Sequence, residues 1–394
     1  MSGEPPDGRP APLEPACEVT IVAHDIGPVG GMERQLVELI TGLLRLGHEI
    51  TVIGRVCELP DGAAVRFHKV RGPGRPFLIA YPWFLLAGSL AVRRRRRGVV
   101  QATGAIVLNQ VDAIAIHYCH QAGVATPSRA TALTRLYIRL VAWLDKVCER
   151  IVFALNGSAI FVCVSDGVAE EMRSYFPGAR ERVMTIHNGV DLDAFSPGSR
   201  AGEAAELREK LGIAPQRPAA AFVGSEWERK GLEPAIRALA EAPEWDLLVA
   251  GGGDRERYEQ LARSLGVADS IHWLGVTRDV PLVLEAADAL VFPSTYEAFP
   301  LVALEAAASG VAILATPVNG VRELITDGES GFLISRDPVS IAERLRLLAA
   351  DPQRRSQMGQ AARSAVLEFS WERMVLHHHE LYERLAGARA PERR

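Results

Sequence analysis

The chain has 394 residues, 48% of them hydrophobic and 23% charged, with a formal net charge of −4. That length exceeds the about 250–300 residues a single core fills, so two domains are expected. The composition is that of a soluble globular protein; the charge balance gives no whole-chain case for nucleic acid as a partner and leaves room only for a local basic patch. Cys17, Cys57, Cys119, Cys148 and Cys163 all lie in the first half, odd in number and at spacings that match no metal motif. They read as the free thiols of a reduced, cytoplasmic protein. Residues 1–16, rich in Pro, Gly and acid without a basic-then-apolar pattern, read as a disordered lead-in and not a signal peptide.

From there, Glu18–His24 reads as a strand, Gly27–Gly31 as a glycine-bearing loop, and Met32–Leu46 as a helix. Leu36, Leu39, Ile40, Leu43 and Leu44 share its apolar face, and Gly47 stops it. Ile50–Ile53 is the next strand. This βαβ opening places Gly30 and Gly31 where backbone amides can approach a phosphate, although the spacing is not the dinucleotide fingerprint. Phe77–Val92 is strongly apolar and runs into Arg93–Arg97. Interrupted by Pro82 and Gly88, it is shorter than the ~20 residues that span a bilayer. Two readings remain: a peripheral helix docking on the anionic inner membrane face through the basic 93–97 region, or an ordinary helix followed by solvated arginines.

Val99–Gly104 and Ala113–His117 read as buried strands, the second leading into His117-Tyr118-Cys119-His120. A histidine leaving a strand's C-terminal end points into a cleft, where it can donate to a sugar or hold a proton near neutral pH. A helix over Leu133–Phe153 follows, then a strand over Ala159–Ser165, with Ser165-Asp166 opening another helix. His187–Phe195 contains the turn signal Asn188-Gly189. Its Asp191 and Asp193 have the types that hold a divalent ion against a diphosphate, but they sit within the turn, and no metal is expected there. Ser196–Pro218 reads as a linker with a short helix.

The second half restarts with a strand over Ala219–Val223, then a Gly224–Gly231 turn bearing Arg229 and Lys230, and a helix to Ala240. Two cations at a strand-to-helix turn suit a departing diphosphate, although an isolated Arg-Lys is more often a solvated turn. Trp245–Ala250 and Ile271–Gly275 are strands, and Gly251–Gly253 between them can hold a nucleotide or allow close packing, the second being the preferred reading. Ala289–Phe292 is a buried strand, and Phe299-Pro300 starts a helix beyond it. Glu297 stands in the intervening turn and Glu305 on the helix. The crevice beyond the strands' C-terminal ends is where α/β sheets bind ligands; a helix start there favours phosphate and a carboxylate accepts from sugar hydroxyls. Val311–Ala315 is a further strand, and Ser370 to Leu385 is the last helix. Two successive α/β halves predict two Rossmann-like domains.

Gly30-Gly31-Met32-Glu33-Arg34, Asn188-Gly-Val-Asp191, Gly224–Gly231 with its Arg229-Lys230-Gly231, and Glu297-x7-Glu305 together resemble the retaining glycosyltransferases of the GT4 family. The resemblance runs from about residue 18 to 385. It implies an α/β GT-B fold: two Rossmann-like domains facing each other across a cleft, with the C-terminal helix crossing back. The implied division is 17–195 for the acceptor domain, 196–218 for the linker, 219–370 for the nucleotide-sugar domain, and 371–394 for the returning helix. It also implies transfer of a sugar, with retention, from a nucleotide diphosphate sugar to an acceptor hydroxyl on a cell-envelope glycan or glycolipid.

By that resemblance Arg229 and Lys230 stabilise the departing diphosphate, Glu305 holds the ribose, Glu297 grips the donor sugar, and Gly30 and Gly31 lie against it or its phosphates. Phe299, Pro300 and Leu301 complete the donor site. Tyr118-Cys119-His120 is similar to the family's Tyr-x-His, which favours His120 as the cleft histidine and leaves His117 as competitor. No cofactor and no metal are implied. The Gly224–Gly231 string tilts the donor towards UDP-glucose over GDP-mannose. Ala298 stands where many members have Gly, and Ser225 where Arg is frequent. The competing readings are a sugar-nucleotide epimerase, which needs acid/base carboxylates in the first domain, and a non-catalytic nucleotide-sugar-binding protein.

Overall fold

The computed structural model describes residues 17–123 and 131–388. The expected lead-in 1–16 and the end of the last segment, 389–394, lie outside these residues. Two all-parallel sheets organise what is described. The first runs, edge to edge, through Arg66–Lys69, Glu49–Gly54, Glu18–Val22, Val99–Thr103, Ala113–Ile116, Ile160–Cys163 and Val183–Thr185. The second runs through Ile271–Gly275, Asp246–Ala250, Ala219–Val223, Ala289–Phe292, Ala312–Ala315 and Phe332–Leu333. Val99–Thr103 and Ala289–Phe292 are buried along their whole length. Such continuous burial follows from helices covering both faces of a parallel sheet, and it is why these strands read as unbroken apolar runs.

In the first lobe, helix Gly31–Arg45 covers one face of the sheet, and helices Phe77–Arg95 and Ala132–Leu155 cover the other. The final helix, Trp371–Gly387, is capped by Ser370 Oγ, which accepts from the Arg373 amide at 3.2 Å. It crosses back: Met374, Val375, Leu381 and Tyr382 share a core with Val19, Ile21, Leu36 and Ile40 of the first lobe. Val375 lies so close to helix Gly31–Arg45 that a Cβ on Gly42 would stand 2.4 Å from it. At the chain's first crossing between lobes, Asp191 Oδ1 accepts from the amides of Asp193 and Ala194 at 3.1 and 2.9 Å. That carboxylate is used to fold the turn.

Two features depart from the sequence reading. Arg66–Lys69 pairs at the sheet edge although it has no apolar pattern, being largely exposed. The segment after Val223 forms a separate turn, Trp227–Lys230, before helix Leu232–Glu241 begins. The linker holds the expected short helix, at Ala201–Lys210. Among the described residues no helix is long and apolar enough to cross a membrane. Phe77–Arg95 packs on the sheet through Ala80, Tyr81, Phe84, Gly88 and Val92. Because both sheets are parallel and face each other, the turns after Ala113–Ile116, Ala219–Val223 and Ala289–Phe292 meet at one interlobe cavity.

Candidate active site

The second-lobe wall is built by two strand-to-helix turns. After strand Ala219–Val223, the chain turns through Gly224 at φ 134°, and the Lys230 side chain lies across it; a Cβ there would sit 2.8 Å from the lysine Cδ and Cε. Lys230 Nζ stands 4.9 Å from the centre of the Phe292 ring, a cation–π contact. After strand Ala289–Phe292, the next turn brings in Glu297. Its Oε1 accepts from Arg229 Nη1 at 2.8 Å, Ser294 Oγ at 3.0 Å and Lys230 Nζ at 3.4 Å. Arg229 also donates to the Tyr296 carbonyl at 2.6 Å and to Glu226 at 2.7 Å. Three of the residues singled out in sequence therefore form one ion cluster.

Glu305 is buried one turn into helix Leu301–Ala308 and is paired with Arg34 of the first lobe. The Gly30–Gly31 turn meets the start of that helix: a Cβ on Gly31 would lie 3.8 Å from Leu301 Cδ1. Pro300 is the residue that precedes the helix, as its fixed φ suits. The Phe299 ring does not line the cavity. It is buried against Phe369 and His187, with ring centres 5.8 and 5.5 Å away, so what residues 299–301 offer the cleft is backbone and Leu301.

Across from this wall lies a cavity of about 420 Å³, lined from the first lobe by His117, Tyr118, His120, Ile138, Val141, Ala142 and Asp145. Glu226, Arg229, Tyr296, Glu297 and Ala298 line the opposite side. His120 Nδ1 stands 3.7 Å from Asp145 Oδ2, and the His120 amide donates to Glu149 at 2.9 Å. Burial, and then the charge of Lys146, pull the His120 imidazole down to about 4, so it is neutral at physiological pH. Burial lifts Asp145 to about 6 and Glu149 to about 7. His117 also borders the cavity but is held from behind, its Nε2 3.2 Å from Gln35 Oε1. Burial, with the neighbouring His378, lowers it to about 4.

Several contributors were not singled out in sequence. They include Asp145, Glu149 and Glu226, together with Arg34, which enters the sequence reading only as part of its loop. The lobes are joined by Arg34 and also by Glu171, which accepts from the Tyr296 hydroxyl at 2.9 Å and from Asn319 at 2.8 Å. Glu323 reaches from the second lobe to His187 at 2.7 Å and to the amides of Asp166 and Gly167 at 2.9 and 3.2 Å. Burial opposes its charge, but these donors hold its carboxyl below the usual range. Asp166, His187 and Glu323 are the one trio of possible metal ligands gathered among the described residues. The Glu323 oxygens are already taken up as an interlobe cap. A carboxylate on a helix gives no signal in sequence that separates this use from a solvated face.

A sequence model described as glycosyl transferases group 1 matches residues 203–365, and one described as glycosyltransferase family 4 matches residues 29–194. D-inositol 3-phosphate glycosyltransferase of Actinosynnema mirum is 31% identical over 387 residues, covering 88% of this chain and 90% of that protein. Its Corynebacterium jeikeium counterpart is 32% identical over 259 residues, 62% of this chain; the match spans 61% of that relative's length. Among solved structures, WaaG, a glycosyltransferase involved in lipopolysaccharide biosynthesis, superposes with a TM-score of 0.76 at 23% identity over 94% of this chain and 99% of that one. Sucrose-phosphate synthase from Thermosynechococcus elongatus gives 0.75 at 21% identity over 94% and 100%. These likenesses establish the two-lobed fold.

Proposed function

The chain belongs to the family 4 glycosyltransferases, and we propose that it moves a glucosyl group from UDP-glucose, with retained anomeric configuration, to an acceptor hydroxyl on a cell-envelope glycan or glycolipid. The observation that carries the reading is the Arg229–Lys230–Glu297 cluster at the cavity. Glu297 is shared between the two cations, and Glu226 also pairs with Arg229. A diphosphate has more charge and more acceptor oxygens, so it displaces the carboxylate from Arg229 and Lys230. Glu297 is then free to accept from the hydroxyls of the sugar. In the same way a ribose competes with Arg34 for Glu305, and the turn at Gly30–Gly31 lies beside both.

In the reaction the bond from the anomeric carbon to the β-phosphate oxygen breaks, and its electron pair leaves with UDP. The acceptor oxygen bonds to that carbon from the same face, and its proton passes to the departing phosphate oxygen. Arg229 and Lys230 stabilise the charge that grows there, which is the main lever a positioned cation offers. Neutral His120 donates a hydrogen bond near the reacting end of the sugar.

The relatives' names carry an inositol phosphate as acceptor, and one feature argues for a different acceptor here. Among the described residues, the first-lobe lining of this cavity has no arginine or lysine, and Lys146, whose charge reaches His120, stands outside it. Asp145 and the apolar Ile138, Val141 and Ala142 suit an uncharged hydroxylated acceptor. The test is a panel of UDP-, GDP- and ADP-sugars in thermal shift, followed by UDP release with glycan acceptors or with inositol phosphate. UDP-glucose should raise the melting temperature most, since binding stabilises by mass action, and UDP should appear only with an acceptor. Stabilisation by GDP-mannose alone would move the donor assignment. An epimerised sugar without UDP release, or no response to any donor, would end the transferase reading for this chain.

A further inference from the structure

Between Gly62 and Leu144 the sequence has twelve arginines and lysines and a single carboxylate side chain, Asp112. This segment carries +11 (twelve minus one), while the whole chain carries −4, which leaves −15 on the remainder. Asp112 is turned inward, accepting from the Val100 amide at 2.7 Å. The segment is therefore strongly basic, with Arg66 and Arg97 drawing on Glu18 and Glu49 outside it.

Two helices of that segment, Phe77–Arg95 and Ala132–Leu155, touch each other. Both pack on the same face of the first sheet, one through Tyr81, Phe84 and Val92, the other through Cys148, Val152 and Phe153. Their outer faces consequently look the same way. On the first, Ile79, Trp83, Leu86 and Leu90 recur at helical spacing and are 58, 51, 65 and 47% exposed. On the second, Leu136, Leu140 and Trp143 are 54, 45 and 61% exposed. An outer helix face normally carries charge and polar groups, and a contiguous apolar patch of this kind marks an interaction site. Arginines border it: Arg93, Arg94 and Arg95 end the first helix, and Arg135 and Arg139 interleave the second. These five have no carboxylate partner among the described residues.

We propose that these two helix faces form a docking surface for an anionic lipid bilayer. The chemistry selects that occupant over the alternatives. Exposed Leu, Ile and Trp stripes have no use on a nucleic-acid phosphate backbone, which would leave them in water. A second copy related by a two-fold axis would bring one strongly positive patch against another. A bilayer with anionic headgroups meets both features: acyl chains take the apolar stripe, the two tryptophans sit at the interface, and headgroups meet the arginines. Ile138 and Val141 of the second helix line the cleft cavity, so a bilayer held there lies beside its first-lobe wall.

The test uses the full chain sedimented with phosphatidylglycerol–phosphatidylcholine vesicles or with phosphatidylcholine alone. Binding to the anionic vesicles should exceed binding to the neutral ones by about tenfold at low salt and fall steeply as salt rises. Replacing Leu86→Glu together with Leu140→Glu should cut the bound fraction about tenfold. The triple change Arg93→Gln, Arg94→Gln, Arg95→Gln should remove most of the salt dependence. Far-UV circular dichroism and the donor-induced rise in melting temperature should be unchanged in both variants, which separates lost docking from lost folding. Wild-type protein that stays unbound with anionic vesicles while still responding to UDP-glucose would overturn the docking surface alone. So would a Leu86→Glu/Leu140→Glu variant that binds like wild type, or a wild-type dimer that this variant dissolves. A protein that docks but answers to no donor would instead strike the transferase reading.

Discussion

The second-lobe wall of the cleft carries its charge in hydrogen-bonded pairs, Arg229 and Lys230 against Glu297, whereas the first-lobe wall holds His120, Asp145 and Glu149 in surroundings that suppress charge on each of them. A paired wall can exchange one anion for another at little cost, which suits a diphosphate. A wall of neutral imidazole and reluctant carboxylates suits hydroxyl groups, where hydrogen bonds orient without attracting a competing ion. The two walls also arise differently along the chain. The paired wall comes from two compact turns, 224–231 and 294–305, and the other from side chains on a strand end and a long helix.

The largest expected effect breaks the paired wall. Lys230→Ala should lower kcat by about 100-fold or more, about 2.7 kcal/mol, because the lost cation acts on charge that grows only in the transition state. Steady-state UDP release measures it, and a near-normal rate removes Lys230 from the reaction. Glu305→Gln should act on binding instead, raising KM for the UDP-sugar by roughly tenfold, the scale of one hydrogen bond to a charged acceptor. The same variant frees Arg34 from its partner. If kcat falls and KM holds, the ribose assignment is wrong.

The order of those effects tracks what could be read from the chain. Gly224–Gly231 and Ser294–Glu305 each combine a buried apolar strand, a turn and a helix start, so their place at the strands' C-terminal ends followed from local pattern. The last helix is legible in the sequence too, but its return over the first lobe follows only from the family resemblance. Asp145 and Glu149 were not legible. They stand four apart on helix Ala132–Leu155 next to Lys146 and Arg150, a spacing that reads as a solvated face, and only packing turns them inward. The one available signal was their isolation: they are the only acids in a helix otherwise apolar and basic. Arg34, Glu171 and Glu323 act across the interlobe gap, 271, 125–148 and 136–157 residues from their partners, a separation no local pattern spans. The edge strand Arg66–Lys69 was missed for the opposite reason, since it buries too little to show an alternation.

The smallest effect sharpens the contrast from the first-lobe side, through pH and not through rate. Glu149 ordinarily releases its proton near 4.5 but is lifted by burial to about 7 in the folded protein. Between those values the folded state keeps a proton that the unfolded chain has lost. The associated stability is therefore full below about 4.5 and is lost as pH rises through about 7. Its ceiling is about 3 kcal/mol. Glu149→Gln keeps an acceptor for the His120 amide and never ionises, so it should gain about 1 kcal/mol over wild type at pH 8 and nothing at pH 5. Asp145, lifted to about 6, keeps a slope of the same sign at lower pH, so the variant should flatten the profile only in its upper part. His120 works the other way, drawing stability down as pH falls from 6.5 towards 4. Chemical denaturation at several pH values measures the difference, with activity at saturating donor as the control. Two parallel profiles would mean that Glu149 is ionised in the folded wall, and the wall would then be as charged as the one it faces.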